Sequence, residues 1–165
     1  MGGVVPHIKK QSLLTLDLNS DKDYREWFFA FCQNNDNLPW YQRWWMRRDP
    51  VGLQHTYAFT QVGDYLLFVE PNNSHIEFTV KYPTEDCATL SAVACALELT
   101  DAGHTVVSHV YIPNIKGSKS IFNFIPSCVT VVKCATGYSS YAVSPKKLLH
   151  SLLKDGAYLY LKAEK

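Results

Sequence analysis

The sequence predicts a single α+β domain, an antiparallel sheet with helices packed against it, and three observations carry that expectation. Strand-like segments over about 53–60, 65–70 and 75–82 follow one another across short turn-forming stretches, as neighbouring antiparallel strands do. Serine-marked helix starts stand later in the chain, at Ser127 and at Ser144-Pro145. A length of 165 residues, 47% hydrophobic and 19% charged, suffices for one hydrophobic core, and no stretch has the composition of an interdomain linker.

Taken in order, residues 11–18 (Gln-Ser-Leu-Leu-Thr-Leu-Asp-Leu) fit an early strand. Asn19-Ser20-Asp21 then offers caps for a helix over about 21–34 that would bury Trp27, Phe28 and Phe31. The stretch 38–48 is dense in aromatics and arginines and ends at Asp49-Pro50. Over 75–82, Ile76, Phe78, Val80 and Tyr82 alternate with Glu77, Thr79 and Lys81, the pattern of a half-buried strand. Thr84 and Asp86 open an alanine- and leucine-rich helix running to about 101, where Gly103 stops it. The β-branched run from His104 to Ile112 reads as another strand. Ser127 caps a helix over 128–136 closed by Gly137, although Val129, Thr130, Val131 and Val132 favour strand by intrinsic propensity. Ser144-Pro145 starts a helix to about 154, and Asp155-Gly156 turns the chain into a last strand from Ala157 to Leu161.

Composition excludes several classes. The formal charge of +1 supplies no general drive toward nucleic acid, and nucleic-acid binding is not expected. No apolar run approaches the roughly 20 residues a membrane-spanning helix needs. The start, Met1-Gly2-Gly3-Val4-Val5-Pro6, lacks a secretory pattern, and Pro6 breaks the myristoylation motif. The five cysteines, Cys32, Cys87, Cys95, Cys128 and Cys134, are odd in number and never in C-x-x-C spacing. Reduced thiols in a cytoplasm, with no metal and no cofactor, are expected from that pattern.

The first two of these strands hold a histidine and a carboxylate. With Gln61-Val62-Gly63-Asp64 as the turn and Thr60 opposite Tyr65, Phe59 faces Leu66, Tyr57 faces Phe68 and His55 faces Glu70. A three-residue loop with a bulge at Gly63 is the alternative, and it shifts the pairing by one. A carboxylate beside an imidazole fixes its tautomer and stabilises the imidazolium, whereas the plain alternative is a packed histidine hydrogen-bonded to Glu70. Cys128, at the first helical position after Ile125-Pro126-Ser127, has two readings as well. A thiol at a helix N-terminus is favoured as thiolate, and a histidine from another element can take its proton; a buried packing cysteine is the other reading.

This order of strand histidine, acidic residue on the next strand and cysteine opening a later helix resembles the permuted papain-like cysteine hydrolases, a group that includes lecithin retinol acyltransferase and bacterial relatives. The segment Cys128-Val129-Thr130-Val131-Val132-Lys133 is similar to a Cys-Val-x-x-Val-Lys pattern of small phage-encoded proteins of that kind, with Ser144-Pro145 standing where a Thr-Pro or Ser-Pro helix start follows. The resemblance covers about residues 51–154 and implies a circularly permuted papain-like fold. It implies Cys128 as nucleophile, His55 as base, Glu70 as the orienting residue and the Cys128 N–H as part of an oxyanion hole. The implied activity is that of a thiol hydrolase or acyltransferase cleaving an amide or ester through an acyl-cysteine, in the cytoplasm of a bacterial or phage-infected cell. The departures are a cysteine helix rich in valine and ending in Thr136-Gly137. They keep open a second class, a non-catalytic interaction or nucleic-acid-binding protein with the same fold.

Other constellations are weaker. Trp40, Tyr41, Trp44 and Trp45, interleaved with Arg43, Arg47 and Arg48, fit a stacking surface for single strands, a packed core with arginines lying over it, or a substrate groove beside the hairpin. In the last case Trp40, Trp44 and Trp45 are the substrate-binding candidates. His104 and His109 fall on opposite faces of a strand, and His75 is an alternative base. Cys87, Cys95 and Cys134 read as packing positions, and Lys146, Lys147 and Lys154 as a solvated face.

Overall fold

The computed structural model describes residues 24–32, 53, 55–72, 75–82, 91–114 and 127–161. Its central element is strand β1 (Arg25–Cys32), in a segment where local caps predict a helix. The reason for the difference lies in the run Trp27 to Cys32, every residue of which is buried. A helix lying on a sheet hides one stripe, whereas an inner strand hides both sides, so an unbroken apolar run is best buried as a strand. Packing on two faces outweighs the local caps. The expected strand over 11–18 and the aromatic stretch 38–48 lie outside the described residues.

Strands β2 (His55–Val62), β3 (Tyr65–Pro71) and β4 (Ile76–Lys81) form a meander on one side of β1. Strands β5 (Thr105–Tyr111) and β6 (Tyr158–Tyr160) extend the sheet on the other side. The result is an open six-stranded sheet in the order β4-β3-β2-β1-β5-β6, each neighbouring pair antiparallel. With three described helices, α1 (Ala92–Asp101), α2 (Cys128–Thr136) and α3 (Pro145–Lys154), the architecture is α+β.

The β2–β3 register differs from the expected one by two residues. Val62 pairs with Tyr65, Phe59 with Phe68 and Ala58 with Val69, so the turn is only Gly63-Asp64. Gly63 stands at φ +60 while no other residue type has positive φ among the described residues, which matches a tight hairpin with glycine at its first central position. Tyr57 therefore does not face Phe68. Because a two-residue shift preserves side-chain parity, His55 and Glu70 still share a face, as diagonal rather than direct neighbours.

The two faces carry different cores. Trp27, Phe29, Phe31, Ala58, Val69 and Val107 point toward α2 and α3, against Val129, Val132, Leu148 and Leu152. Phe28, Ala30, Phe59, Leu66 and Val106 point the other way, against Ala92 and Ala96 of α1. Helix α1 starts at a Ser91 cap, later than Thr84, and the Ala92 N–H donates to Gln61 Oε1 at 3.1 Å, which ties its start to β2. Residues 83–90, where its first turns were expected, lie outside the described set. Helices α2 and α3 have the expected bounds, each with its serine accepting from an amide of the first turn. Gly137 closes α2 at φ +71, and a Cβ there would lie 2.8 Å from Cβ of Pro113. Only glycine meets both demands. Strand β4 is a correction of another kind: Ile76, Phe78, Val80 and Tyr82 alternate as expected but are exposed rather than buried.

Candidate functional site

Cys128 is the first residue of α2. Ser127 Oγ accepts the Thr130 N–H at 3.2 Å, and this cap holds the thiol at the helix start beside the β2 strand. Burial pushes the thiol pKa up; N–H groups of Thr56, Val129 and Cys128 itself aim at the sulfur and partly offset that rise. Desolvation thus outweighs the helix terminus here, and the balance favours the neutral thiol. The side chain packs against the cluster that contains Phe31, Ala58 and Val129.

His55 opens β2 directly opposite Cys32 of β1. Its Nε2 lies 3.9 Å from Oε1 of Glu70, at the outer limit of an ion pair. Burial lowers the imidazole pKa, with Glu70 pulling it partly back, so the ring is mostly neutral near pH 7. Its ring also stands 6.5 Å from that of Tyr57. Burial raises the Tyr57 pKa, and the Cys32, Cys95 and Glu70 charges add to the effect, which places these groups around one another. Cys32 is buried and its thiol is pushed up to about 11, first by desolvation and then by Glu70 and Cys128.

The sheet separates the expected triad. His55, Tyr57 and Glu70 point to the α1 face, as strand alternation from Phe59 and Phe68 requires. Cys128 rests on the opposite face, over Thr56 and Ala58. No hydrogen bond joins the Cys128 sulfur to the His55 ring among the described residues. Thus Glu70 and His55 are brought together and Cys128 is not brought onto their face. Trp40, Trp44 and Trp45 lie outside the described residues, as does Cys87. Cys134, expected as a packing residue, is exposed instead, because it falls outside the inward stripe of α2.

Two groups escaped sequence reasoning. Cys32, the cross-strand neighbour of His55, becomes visible only when 25–32 is known to be a strand and its register is known. Lys133 is fully buried, with Nζ donating to the Ala142 carbonyl at 3.1 Å, and desolvation lowers its pKa. A signal did exist for it: Val129, Val132, Lys133 and Thr136 have the spacing of one helical face, and these are the buried positions of α2. Near the other end of α2, Trp27, Thr60, Leu67, Pro113, Cys134 and Gly137 help to line an open cavity of about 680 Å³. Among the described residues no group of His, Cys, Asp or Glu side chains has the arrangement of a metal site, and no helix is long and apolar enough to cross a membrane. No family model matches the chain, and neither a curated protein nor a solved structure shows significant similarity to it.

Proposed function

We propose that the chain is a non-catalytic interaction domain, with the element order of a circularly permuted papain-like fold and without a working thiol site. The observation that supports this reading is that Cys128 packs on the α2–α3 face while His55 and Glu70 belong by strand alternation to the α1 face, together with a thiol whose pKa is raised. General-base activation needs the imidazole within hydrogen-bond reach of the sulfur, directly or through one water. A neutral thiol packed on the far face does not meet that need. As an interaction domain in a cytoplasm, it would use exposed apolar surface, and β4 offers the largest run of it among the described strands.

A second reading, a thiol hydrolase or acyltransferase acting on an amide or ester, is favoured by the position of Cys128 at a capped helix start with amides aimed at its sulfur. Competitive labelling with limiting iodoacetamide near neutral pH separates the two. The interaction reading expects Cys134 to react well before Cys128, and His55→Ala to leave the Cys128 rate unchanged. Fast labelling of Cys128 that His55→Ala slows would overturn it in favour of the hydrolase.

A further inference from the structure

Strand β4 ends the sheet. It pairs with β3 along one side, and no strand pairs with its other side among the described residues. Such an edge presents a row of backbone donors and acceptors to a further strand, and proteins commonly blunt it with charges that repel a second copy. The charges here do the reverse. On the face shared with α1, Glu77 and Lys81 stand two positions either side of Thr79, with opposite signs. On the other face, Phe78 is 61% exposed and Tyr82 62%, and Ile76 and Val80 complete the stripe.

Within one chain these charges are poorly matched. Glu77 is the direct cross-strand partner of Glu70, a like-charge pair, and its carboxylate accepts from the neutral donors Asn72 Nδ2 at 3.1 Å and Thr79 Oγ1 at 3.2 Å. Lys81 places its ammonium 4.7 Å from the centre of the Phe68 ring, and no carboxylate forms an ion pair with it among the described residues. We propose that β4 pairs antiparallel with β4 of a second copy about a two-fold axis at Thr79, joining the two sheets. That register sets Glu77 opposite Lys81 of the second copy twice over, Phe78 opposite Val80, and Ile76 opposite Tyr82.

Symmetry narrows the choice. A two-fold axis perpendicular to the sheet keeps each side chain on its own face, so only registers that pair odd with odd and even with even positions are allowed. Of these, centring on Phe78 sets Glu77 against Thr79, and centring on Val80 sets Lys81 against Thr79. Only the Thr79 centre joins both charges, and it gives Lys81 a carboxylate partner while countering the Glu70–Glu77 repulsion.

Sedimentation velocity on the full chain tests the pairing. The expected result is a concentration-dependent dimer, weakened about tenfold or more by either Glu77→Lys or Lys81→Glu, because each turns two opposite-charge pairs into like-charge pairs. The double variant E77K/K81E should dimerise as the native chain does, and it serves as the folding control. An equimolar mixture of the two single variants should form a heterodimer, since each supplies the charges that the other lacks. A chain that stays monomeric at every accessible concentration would overturn the proposal, as would a dimer indifferent to both substitutions or single variants that fail to associate on mixing. Sedimentation reads β4 and thiol labelling reads Cys128, so this pairing and the interaction reading can each fail without the other.

Discussion

The two faces of the sheet are packed to different depths. On the α2–α3 face Phe29, Phe31, Val69 and Val107 are sealed under two helices; Lys133 bonds there to Ala142, and Tyr138 Oη to Asp155 Oδ2 at 2.7 Å, whereas Thr56 Oγ1 is buried with no hydrogen-bond partner among the described residues. On the α1 face one helix covers the centre among the described residues, and the end that carries His55, Tyr57 and Glu70 is only partly buried. The contrast shows why burial, rather than the helix terminus, decides the state of Cys128. Its sulfur belongs to the sealed face, while the groups that could have charged it belong to the open one.

The largest test of that contrast is truncation of matched aromatics. Phe29→Ala should cost about 3–5 kcal/mol of unfolding free energy, since the ring is fully buried and meets Tyr138 edge-on. Phe68→Ala on the open face, where the ring is half-buried, should cost less than half as much in the same urea titration. Equal losses would show that the faces are sealed alike. Next in size is Tyr138→Phe, which removes the hydroxyl that donates to Asp155 and pairs with Ser151 at 3.0 Å. Its expected cost is about 1.5–3 kcal/mol, as for hydrogen bonds to a charged group.

Lys133→Met should raise stability by no more than about 1 kcal/mol near pH 7, because the gain from no longer burying an ammonium is partly offset by the Ala142 carbonyl left without its donor. The sign of the pH dependence follows from burial. A folded-state pKa below 10.5 means that the unfolded chain holds more protons between the two values, so the penalty is full below the folded pKa and fades as pH rises toward 10.5. The gap between the native protein and Lys133→Met should therefore narrow in alkaline buffer. A gap that widens there would reverse the sign of the argument. The smallest effect is at His55, whose lowered pKa makes protonation unfavourable in the fold. Stability should decline as pH falls from 6.5 through the folded pKa, and His55→Gln should flatten that decline in acid denaturation curves.

Much of the chain was legible locally. The caps Ser127 and Ser144, the stops Gly103 and Gly137 and the alternation in β4 are short-range signals, and the elements they mark lie where those signals put them. The valine-rich α2 is helical despite its propensities because its caps and inward stripe agree with each other. The pairing of His55 with Glu70 could also be anticipated from parity alone, even with the register two residues off. Other features depended on partners distant in sequence. The segment 25–32 became a strand because neighbours on both sides and helices on both faces were there to receive its aromatics. Only the placement of α2 on one face of β2 could set Cys128 apart from His55, since a helix start and a strand position each specify a local direction and neither specifies which side of the sheet the other will occupy.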